Sequence, residues 1–253
     1  MAGRAVTLIT GASAGLGTEF ARQCAARGEA LVLVARRRDR LEALAAELGG
    51  EVHVLAVDLA LPGAPAELIA TLEAQGLEVA TLINNAGFGL AGKLGDQPPA
   101  RQTEMIDLNV RALTELCRLV LPAMRVRRRG AILNVASTAA FQPGPGMAVY
   151  YASKAYVLSL TEALHQELKG SGIKVTALCP GPVATEFFDI ANVQGMLRNM
   201  ATDAPSVVRA GLKALARNQA IIIPGARNKA LAQANRLVPR ALMRRVMARI
   251  KTQ

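Results

Sequence analysis

Residues 10–17 read Thr-Gly-Ala-Ser-Ala-Gly-Leu-Gly, and this stretch decides the predicted fold. Glycines let the chain turn tightly and let backbone N–H groups approach a pyrophosphate at the start of a helix. The spacing G-x-x-x-G-x-G differs from the commoner G-x-G-x-x-G, and an ordinary glycine-rich turn is the alternative. Because the turn follows the first apolar run of the chain, we expect it to bind a dinucleotide cofactor. The predicted contacts are Gly11, Ser13, Gly15, Leu16 and Gly17.

Outward from this turn, apolar runs rich in Val, Leu and Ile alternate with segments rich in Ala and Leu. Strands are predicted near residues 5–10, 30–35, 51–57, 79–84, 130–136, 173–179 and 219–223. Helices are predicted near 15–27, 38–48, 63–75, 98–128 (two, or one bent), 149–169 and 204–216. Near-continuous apolar strands are buried on both faces, as in a parallel sheet covered by helices. We therefore predict an α/β fold, a doubly wound seven-stranded parallel sheet in a Rossmann-like α/β/α arrangement.

The length and composition agree with one globular domain. The chain has 253 residues, of which 51% are hydrophobic and 19% charged, so it can bury a large core. We predict a single domain over 1–225 and a basic, amphipathic helical tail over 226–253. The segment near 183–203 has no clear periodicity and is a candidate lid over the substrate, since long loops in compact domains are often functional.

The composition also argues against several classes of protein. Aromatic residues make up 3% of the chain and Trp is absent, which disfavours a stacking platform for single-stranded nucleic acid. The cysteines at 24, 117 and 179 lie far apart without metal-ligand spacing, so we predict reduced, buried thiols and no metal. The amino terminus lacks a signal-peptide pattern, and no apolar run approaches the roughly 18–20 residues that span a membrane. We expect a cytoplasmic protein, with peripheral contact to a membrane left open.

The end of the second predicted strand indicates which cofactor is preferred. An acid usually holds a free ribose 2′-hydroxyl at this point, but Ala35 fills the place and Arg36 and Arg37 follow it. Arginine suits a 2′-phosphate through forked, charge-assisted hydrogen bonds. We predict NADP(H) rather than NAD(H), the alternative being a solvated basic helix start. Asp58 and Leu59, after the third strand, are predicted to contact the adenine, unless Asp58 is an ordinary turn residue.

A tyrosine and a lysine one helical turn apart indicate acid–base chemistry. Tyr150 and Lys154 share one helix face, and a free phenol has a pKa of about 10. A cation roughly 4–6 Å away favours the phenolate and lowers that pKa by about 1–3 units. The pair is therefore a candidate general acid/base. Such a pair suits hydride transfer to a carbonyl, where a fixed donor stabilises the negative charge that develops on oxygen.

Taken together, these features resemble the short-chain dehydrogenase/reductase family from Val6 to about Thr185. Besides the glycine turn and the Tyr150/Lys154 pair, the resemblance rests on Asn84-Asn85-Ala86-Gly87, Asn109, Ser137 and Pro180-Gly181-Pro182-Val183-Ala184-Thr185. The chain departs from the commonest pattern of the family in its basic tail, which puts the usual tetramer-forming carboxyl terminus in doubt. It looks more like the branch of broad substrate range.

The resemblance implies a role for each matching residue. Tyr150 exchanges the proton with the substrate oxygen, and Ser137 orients that oxygen. Lys154 lowers the tyrosine pKa and holds the nicotinamide ribose, while Asn109 positions a water that links Lys154 to solvent. The cofactor is lined by Asn85, Ala86, Gly87, Pro180, Gly181, Val183 and Thr185.

The expected function is an NADP(H)-dependent oxidoreductase that interconverts a ketone or aldehyde and an alcohol. The alternatives are a cofactor-binding regulatory or structural protein with a vestigial site, and a reductase of small polar substrates. An apolar substrate is favoured because flexible Met and Phe side chains suit lipophilic ligands, although several of them are equally suited to the core. The predicted substrate wall is Phe141, Met147, Phe187, Phe188, Met196, Leu197 and Met200.

The tail carries much of the net charge of +11. Its apolar residues share one helix face and its cations the other. The apolar face is predicted at Leu242, Met243, Val246, Met247 and Ile250. Such a helix over 239–253 packs on its own domain or on a second subunit, or binds an anionic membrane surface. We favour a homo-oligomer, a dimer or larger, and exclude nucleic acid because no reading motif is present.

Overall fold

The computed structural model describes residues 3–186, 202–235 and 238–249. Seven parallel strands form one sheet in the order β3-β2-β1-β4-β5-β6-β7. The strands are β1 (Arg4–Thr10), β2 (Leu31–Ala35), β3 (Val52–Ala56), β4 (Leu77–Asn84), β5 (Gly130–Val135), β6 (Ile173–Leu178) and β7 (Ile221–Ile222). The order reverses between β1 and β4, and ligands of open α/β sheets bind at the carboxyl ends of strands beside such a switch point.

Helices cover both faces of the sheet. In the described residues they are α1 (Gly15–Ala25), α2 (Arg38–Leu48), α3 (Ala64–Ala74), α4 (Pro99–Ile106), α5 (Leu113–Arg127), α6 (Ala148–Glu167), α7 (Ala204–Ala216), α8 (Ala226–Ala234) and α9 (Arg240–Arg249). Alternate strand residues point to opposite faces, so Leu8 belongs to the same buried cluster as Val157 of α6, while Ile9 belongs to a second cluster with Phe20 of α1 and Leu212 of α7. The predicted three-layer fold is confirmed.

One departure from regular helix falls beside the predicted site. The helical stretch predicted over 98–128 is α4 and α5 joined by a π-helical turn, Asp107–Ala112. This wider turn carries Asn109, whose side chain pairs with the backbone of Phe88: Oδ1 accepts from the N–H at 3.1 Å and Nδ2 donates to the carbonyl at 2.9 Å. Such π turns occur often at functional sites because they re-aim a side chain.

The three cysteines are buried, and the carboxyl-terminal segment is helical. Cys24, Cys117 and Cys179 are free and buried, as predicted. The predicted tail contains two helices, α8 and α9, and Asn235 at the end of α8 donates a hydrogen bond to the Gln142 side chain. Within the described ranges, every helix is too short or too polar to cross a bilayer.

Candidate active site

A cavity of about 1130 Å³ runs along the carboxyl edge of the sheet, from the glycine turn after β1 to helix α9. Nearly all of the residues predicted for the site line it. Gly17 and Asn109 are the exceptions, and both are buried behind its wall. The lining residues that were predicted are Gly11, Ser13, Gly15, Leu16, Arg36, Arg37, Asp58, Leu59, Asn85, Ala86, Gly87, Ser137, Tyr150, Lys154, Pro180, Gly181, Val183 and Thr185.

The glycine turn is shaped as a cradle for an anion. Gly11 and Gly15 have φ values of 66° and 56°, in the left-handed region that favours glycine. A Cβ on Gly17 would lie 2.1 Å from the carbonyl oxygen of Gly11, so only glycine lets α1 begin so close to the turn. Among the described side chains, none caps the start of α1 at Ala14. Gly15 and Leu16, the first residues of α1, line the cavity, so the positive end of the helix dipole lies beside it, as suits a bound pyrophosphate.

The two predicted arginines have different surroundings. Arg37 reaches the glycine turn, where its Nη2 donates to the Ser13 Oγ at 3.2 Å and to the Ser13 carbonyl at 3.3 Å. Arg36 instead pairs with Glu104 of α4 at 3.0 Å and lies 3.9 Å from Asp58. Both line the cavity, but Arg37 is the one placed on the cradle itself.

The end of β3 supplies the neighbouring wall. Asp58 accepts a hydrogen bond from the backbone N–H of Ala60 at 3.0 Å and also lines the cavity with Leu59. The structure thus shows Asp58 in the role of a turn residue. The predicted contact between Asp58 and the adenine stays a prediction.

Three side chains meet at the opposite end of the cavity. Ser137 follows β5 and accepts a hydrogen bond from the N–H of Ala139 at 3.1 Å. Tyr150 lies in the first turn of α6 and is hydrogen-bonded to Ser137. Lys154, one turn later, donates from Nζ to the Val135 carbonyl at 2.7 Å and lies 5.9 Å from the Tyr150 ring centre. The strand end and the helix face thus bring the predicted Ser, Tyr and Lys together.

Burial governs the protonation of this cluster. It raises the pKa of Tyr150 to about 12, although the hydrogen bond with Ser137 acts in the other direction. Burial also lowers the pKa of Lys154 to about 8. The expected lowering of the tyrosine pKa by Lys154 is therefore not what this structure shows, because the ammonium bonds to Val135 and desolvation of the phenolate outweighs it. At neutral pH Tyr150 holds its proton, as a proton donor must.

The buried lysine leads to a stability prediction. The pKa of Lys154 falls from its ordinary 10.5 to about 8, so below pH 8 the folded protein carries the full cost of burying the charge. We expect Lys154→Met to raise the free energy of unfolding at pH 7 by about 1–2 kcal/mol while abolishing turnover. Between pH 8 and 10.5 the wild type gains stability, because the unfolded chain binds the proton longer, and the difference between the proteins should shrink.

Chemical denaturation of both proteins at pH 7 and pH 10 measures this effect. A variant that is less stable than the wild type at pH 7 would show that the Val135 hydrogen bond outweighs the buried charge.

Asn109 supports the cluster from behind. Its Nδ2 also donates to the Ser153 Oγ at 3.1 Å, and that hydroxyl donates to the Tyr150 carbonyl at 2.7 Å. A Cβ on Gly87 would lie 2.8 Å from the Asn109 Oδ1 and 3.5 Å from the Lys154 Nζ, so glycine lets the segment after β4 approach both side chains. Sequence reasoning missed Ser153, whose position one residue before Lys154 was the available signal. The water relay expected of Asn109 stays a prediction.

The remaining wall of the cavity comes from the carboxyl-terminal helices. Leu242, Met243, Val246 and Met247 of α9, all predicted to share the apolar face, line the cavity. Met243 is buried, while Leu242 is 51% exposed and Val246 is 44% exposed. The apolar face that was assigned foremost to a second subunit thus lines the cavity of its own domain. The oligomer itself stays a prediction.

The residues predicted for the substrate wall differ in their positions, and their contact with a substrate stays a prediction. Met147 is buried and lines the cavity, whereas Phe141 packs against the core of the sheet. Ile250 of the tail and the predicted wall residues Phe187, Phe188, Met196, Leu197 and Met200 lie outside the described residues, as does most of the candidate lid.

Comparison with known proteins identifies this arrangement. A family model described as short chain dehydrogenase matches residues 5–194. The chain belongs to the short-chain dehydrogenase family. The predicted family is therefore confirmed, and the match includes the glycine turn, the cluster at Tyr150 and the Pro180–Thr185 motif.

Among curated members of the family, the chain is 38% identical over 187 residues to the NADP-dependent 3-hydroxy acid dehydrogenase YdfG of Salmonella typhi. That match covers 73% of this chain and 75% of the relative. The chain is 41% identical over 183 residues to a sulfoacetaldehyde reductase of Chromohalobacter salexigens, covering 71% of this chain and 72% of the relative.

Solved structures of the family match almost the whole chain. A short-chain dehydrogenase from Sphingobium yanoikuyae in complex with NADPH has a TM-score of 0.81 and 35% identity, covering 98% of this chain and 96% of its own. The bulky-bulky ketone specific alcohol dehydrogenase from Comamonas testosteroni has a TM-score of 0.78 and 31% identity, covering 99% of this chain and 96% of its own.

Proposed function

We propose that this short-chain dehydrogenase interconverts a lipophilic ketone or aldehyde and its alcohol with NADP(H), using Tyr150 as the general acid and base. One observation carries the proposal: Ser137, Tyr150 and Lys154 meet in the cavity that also holds the glycine cradle and the apolar face of α9. The oxidoreductase class and NADP(H), both predicted from the sequence, are confirmed by the relatives.

The residues of the cavity fit such a cofactor. The cradle at Gly11, Gly15 and Gly17 would hold the pyrophosphate, and Arg37 would meet a 2′-phosphate beside Ser13. Bound there, the cofactor supplies the hydride in reduction and accepts it in oxidation. Asn85 closes the floor, since its Nδ2 donates to the carbonyls of Thr10 and Gly11 at 2.9 Å and 3.2 Å.

The protein groups then manage the charge on the substrate oxygen. Tyr150 donates its phenolic proton to that oxygen in reduction and takes it back in oxidation. The Ser137 hydroxyl is a second donor to the same oxygen, and two donors at fixed geometry stabilise the developing alkoxide. The Lys154 ammonium, 5.9 Å from the Tyr150 ring centre, then helps to stabilise the phenolate until it regains a proton, because a nearby cation favours the anionic form of a phenol.

The apolar wall of α9 supports a lipophilic substrate over a small polar one. In structure, the ketone-specific alcohol dehydrogenase matches 99% of the chain, so the likeness to it includes the carboxyl-terminal helices. A small acid would need a cation in the wall, and Arg227, which lines the cavity, is the residue to test for that alternative.

A substrate screen tests the proposed function. Bulky apolar ketones, 3-keto acids and sulfoacetaldehyde would each be offered with NADPH, and oxidation of NADPH followed by absorbance. We expect kcat/KM to be highest for the bulky ketones. A preference for the acids would establish the polar alternative, and tight NADPH binding without turnover of any compound would favour a vestigial site.

Cofactor preference gives a separate prediction. We expect Arg37→Ala to weaken NADPH binding by about 1–3 kcal/mol, the scale of a lost hydrogen bond to a charged group, and to leave NADH almost unchanged. Arg36→Ala should do less, because Arg36 points to Glu104. Arg38→Ala is the matched control, since Arg38 pairs with Glu42 outside the cavity. Fluorescence titration measures each Kd, and equal affinity of the wild type for both cofactors would contradict the assignment.

A further inference from the structure

Two arginines beside the cradle share a single carboxylate. Glu186 accepts a hydrogen bond from Arg37 at 3.1 Å and another from Arg40 at 2.5 Å, one on each carboxylate oxygen. Glu186 also lines the cavity, and Arg37 at the same time contacts Ser13 of the glycine turn. A negative side chain therefore lies where the sequence predicts a phosphate.

We propose that Glu186 competes with the cofactor 2′-phosphate for Arg37 and Arg40, and so sets how strongly the protein prefers NADPH to NADH. The inference rests on the proposed position of the cofactor. A carboxylate and a phosphate dianion repel each other, so the two cannot engage one guanidinium at full strength. NADH lacks the phosphate and leaves the Glu186 ion pairs in place.

The backbone holds Glu186 beside the cradle. A Cβ on Gly15 would lie 3.0 Å from the Thr185 side chain, so the residue just before Glu186 abuts the turn. Two backbone hydrogen bonds fix the chain there, from Ala184 N–H to the Thr202 carbonyl at 3.1 Å and from Thr202 N–H to the Pro182 carbonyl at 2.9 Å. A tethered carboxylate competes at a high effective concentration.

The exposure of these groups sets the size of the effect. The side chains of Arg37, Arg40 and Glu186 are 38%, 44% and 43% exposed, so solvent screens both pairs. Exposed ion pairs are weak, and the phosphate carries a larger negative charge than the carboxylate. The phosphate therefore displaces Glu186 from the arginines, with a modest loss of cofactor binding energy. Removing the carboxylate charge should tighten binding of phosphate-bearing ligands about 3- to 10-fold.

Direct binding measurements test this without turnover. Adenosine 2′,5′-bisphosphate and AMP differ only in the 2′-phosphate, as do NADPH and NADH, and calorimetry gives each Kd for the wild type and Glu186→Gln. We expect the Kd of the two 2′-phosphate ligands to fall about 3- to 10-fold and that of AMP and NADH to stay the same. Glu42→Gln, which frees Arg38 outside the cavity, should change none of them.

The outcomes separate this inference from the cofactor assignment. Unchanged or weaker binding of the bisphosphate to Glu186→Gln would overturn the competition and make Glu186 a residue that orients Arg37. Equal tightening of AMP binding would show a general charge effect and overturn the competition as well. If the wild type itself does not distinguish NADPH from NADH, the proposed cofactor site fails instead. The same titrations on Glu186→Ala should give the same changes in Kd, because both variants lack the carboxylate charge. Thermal unfolding of both variants checks that each is folded.

Discussion

Replacing Tyr150 with Phe is expected to lower kcat/KM for any accepted ketone by about 10²–10⁴-fold, the contribution of a positioned general acid. The phenol is the proton donor that the geometry provides: burial holds its pKa near 12, Ser137 is hydrogen-bonded to it, and Lys154 lies behind the ring. Phenylalanine keeps the ring and its packing but removes the proton, so binding of NADPH should remain within about 2-fold of the wild type.

The adjacent tyrosine provides a matched control. Tyr151 also lines the cavity, and its ring lies 6.0 Å from that of Tyr150 in an edge-to-face arrangement. Tyr151→Phe should retain most of the activity. Steady-state kinetics on both variants shows which of the two tyrosines is the general acid. Wild-type turnover by Tyr150→Phe, or a larger loss in Tyr151→Phe, would show that the base has been assigned to the wrong residue.

Placing a charge on the apolar wall should change substrate range more than it changes chemistry. We expect Met243→Glu to reduce kcat/KM for bulky apolar ketones by about 10–200-fold, because a hydrophobic pocket loses contacts and gains a group that must stay hydrated. A small ketone that does not reach α9 should change by less than about 3-fold. Met243 is the buried residue of this helix, so its side chain has the most contact to lose.

Kinetics on paired bulky and small ketones measures this, with Arg244→Ala on the exposed face of α9 as the control. Equal losses on both substrates would mean that α9 serves the whole fold rather than the substrate wall. Deleting 239–253 and measuring solution mass and co-sedimentation with anionic vesicles tests the predicted oligomer and the membrane alternative on the same helix.

Much of the fold was predictable because its signals are local. The strands are near-continuous aliphatic runs that begin and end at turn residues, so β5 and β6 were placed within about one residue. The spacing of Tyr150 and Lys154 fixes one helix face without any tertiary information. The glycine turn is equally local, because the steric demand at Gly17 comes from Gly11 only six residues away.

The remaining features depend on contacts between distant parts of the chain. Glu186 and Arg37 are 149 residues apart in the chain. The sequence around Glu186 is typical of an ordinary acidic loop residue and does not predict this ion pair. The apolar stripe of α9 indicates that one face of the helix is covered, but it does not identify the surface that covers it. The sequence therefore did not predict that this face lines the cavity. The high pKa of Tyr150 also reflects burial from all sides, which a Tyr-to-Lys spacing does not report.

The position of α8 and α9 has a consequence for how such a protein diversifies. Within the described residues, the two apolar clusters that cover the sheet include no member of either helix. Mutations on the cavity side of α9 therefore cost the folding of the sheet little, while they reshape the space beside Tyr150. Selection for new substrates can act on this short segment almost independently of selection for stability, and a library confined to its cavity-facing positions is the economical way to redirect the enzyme.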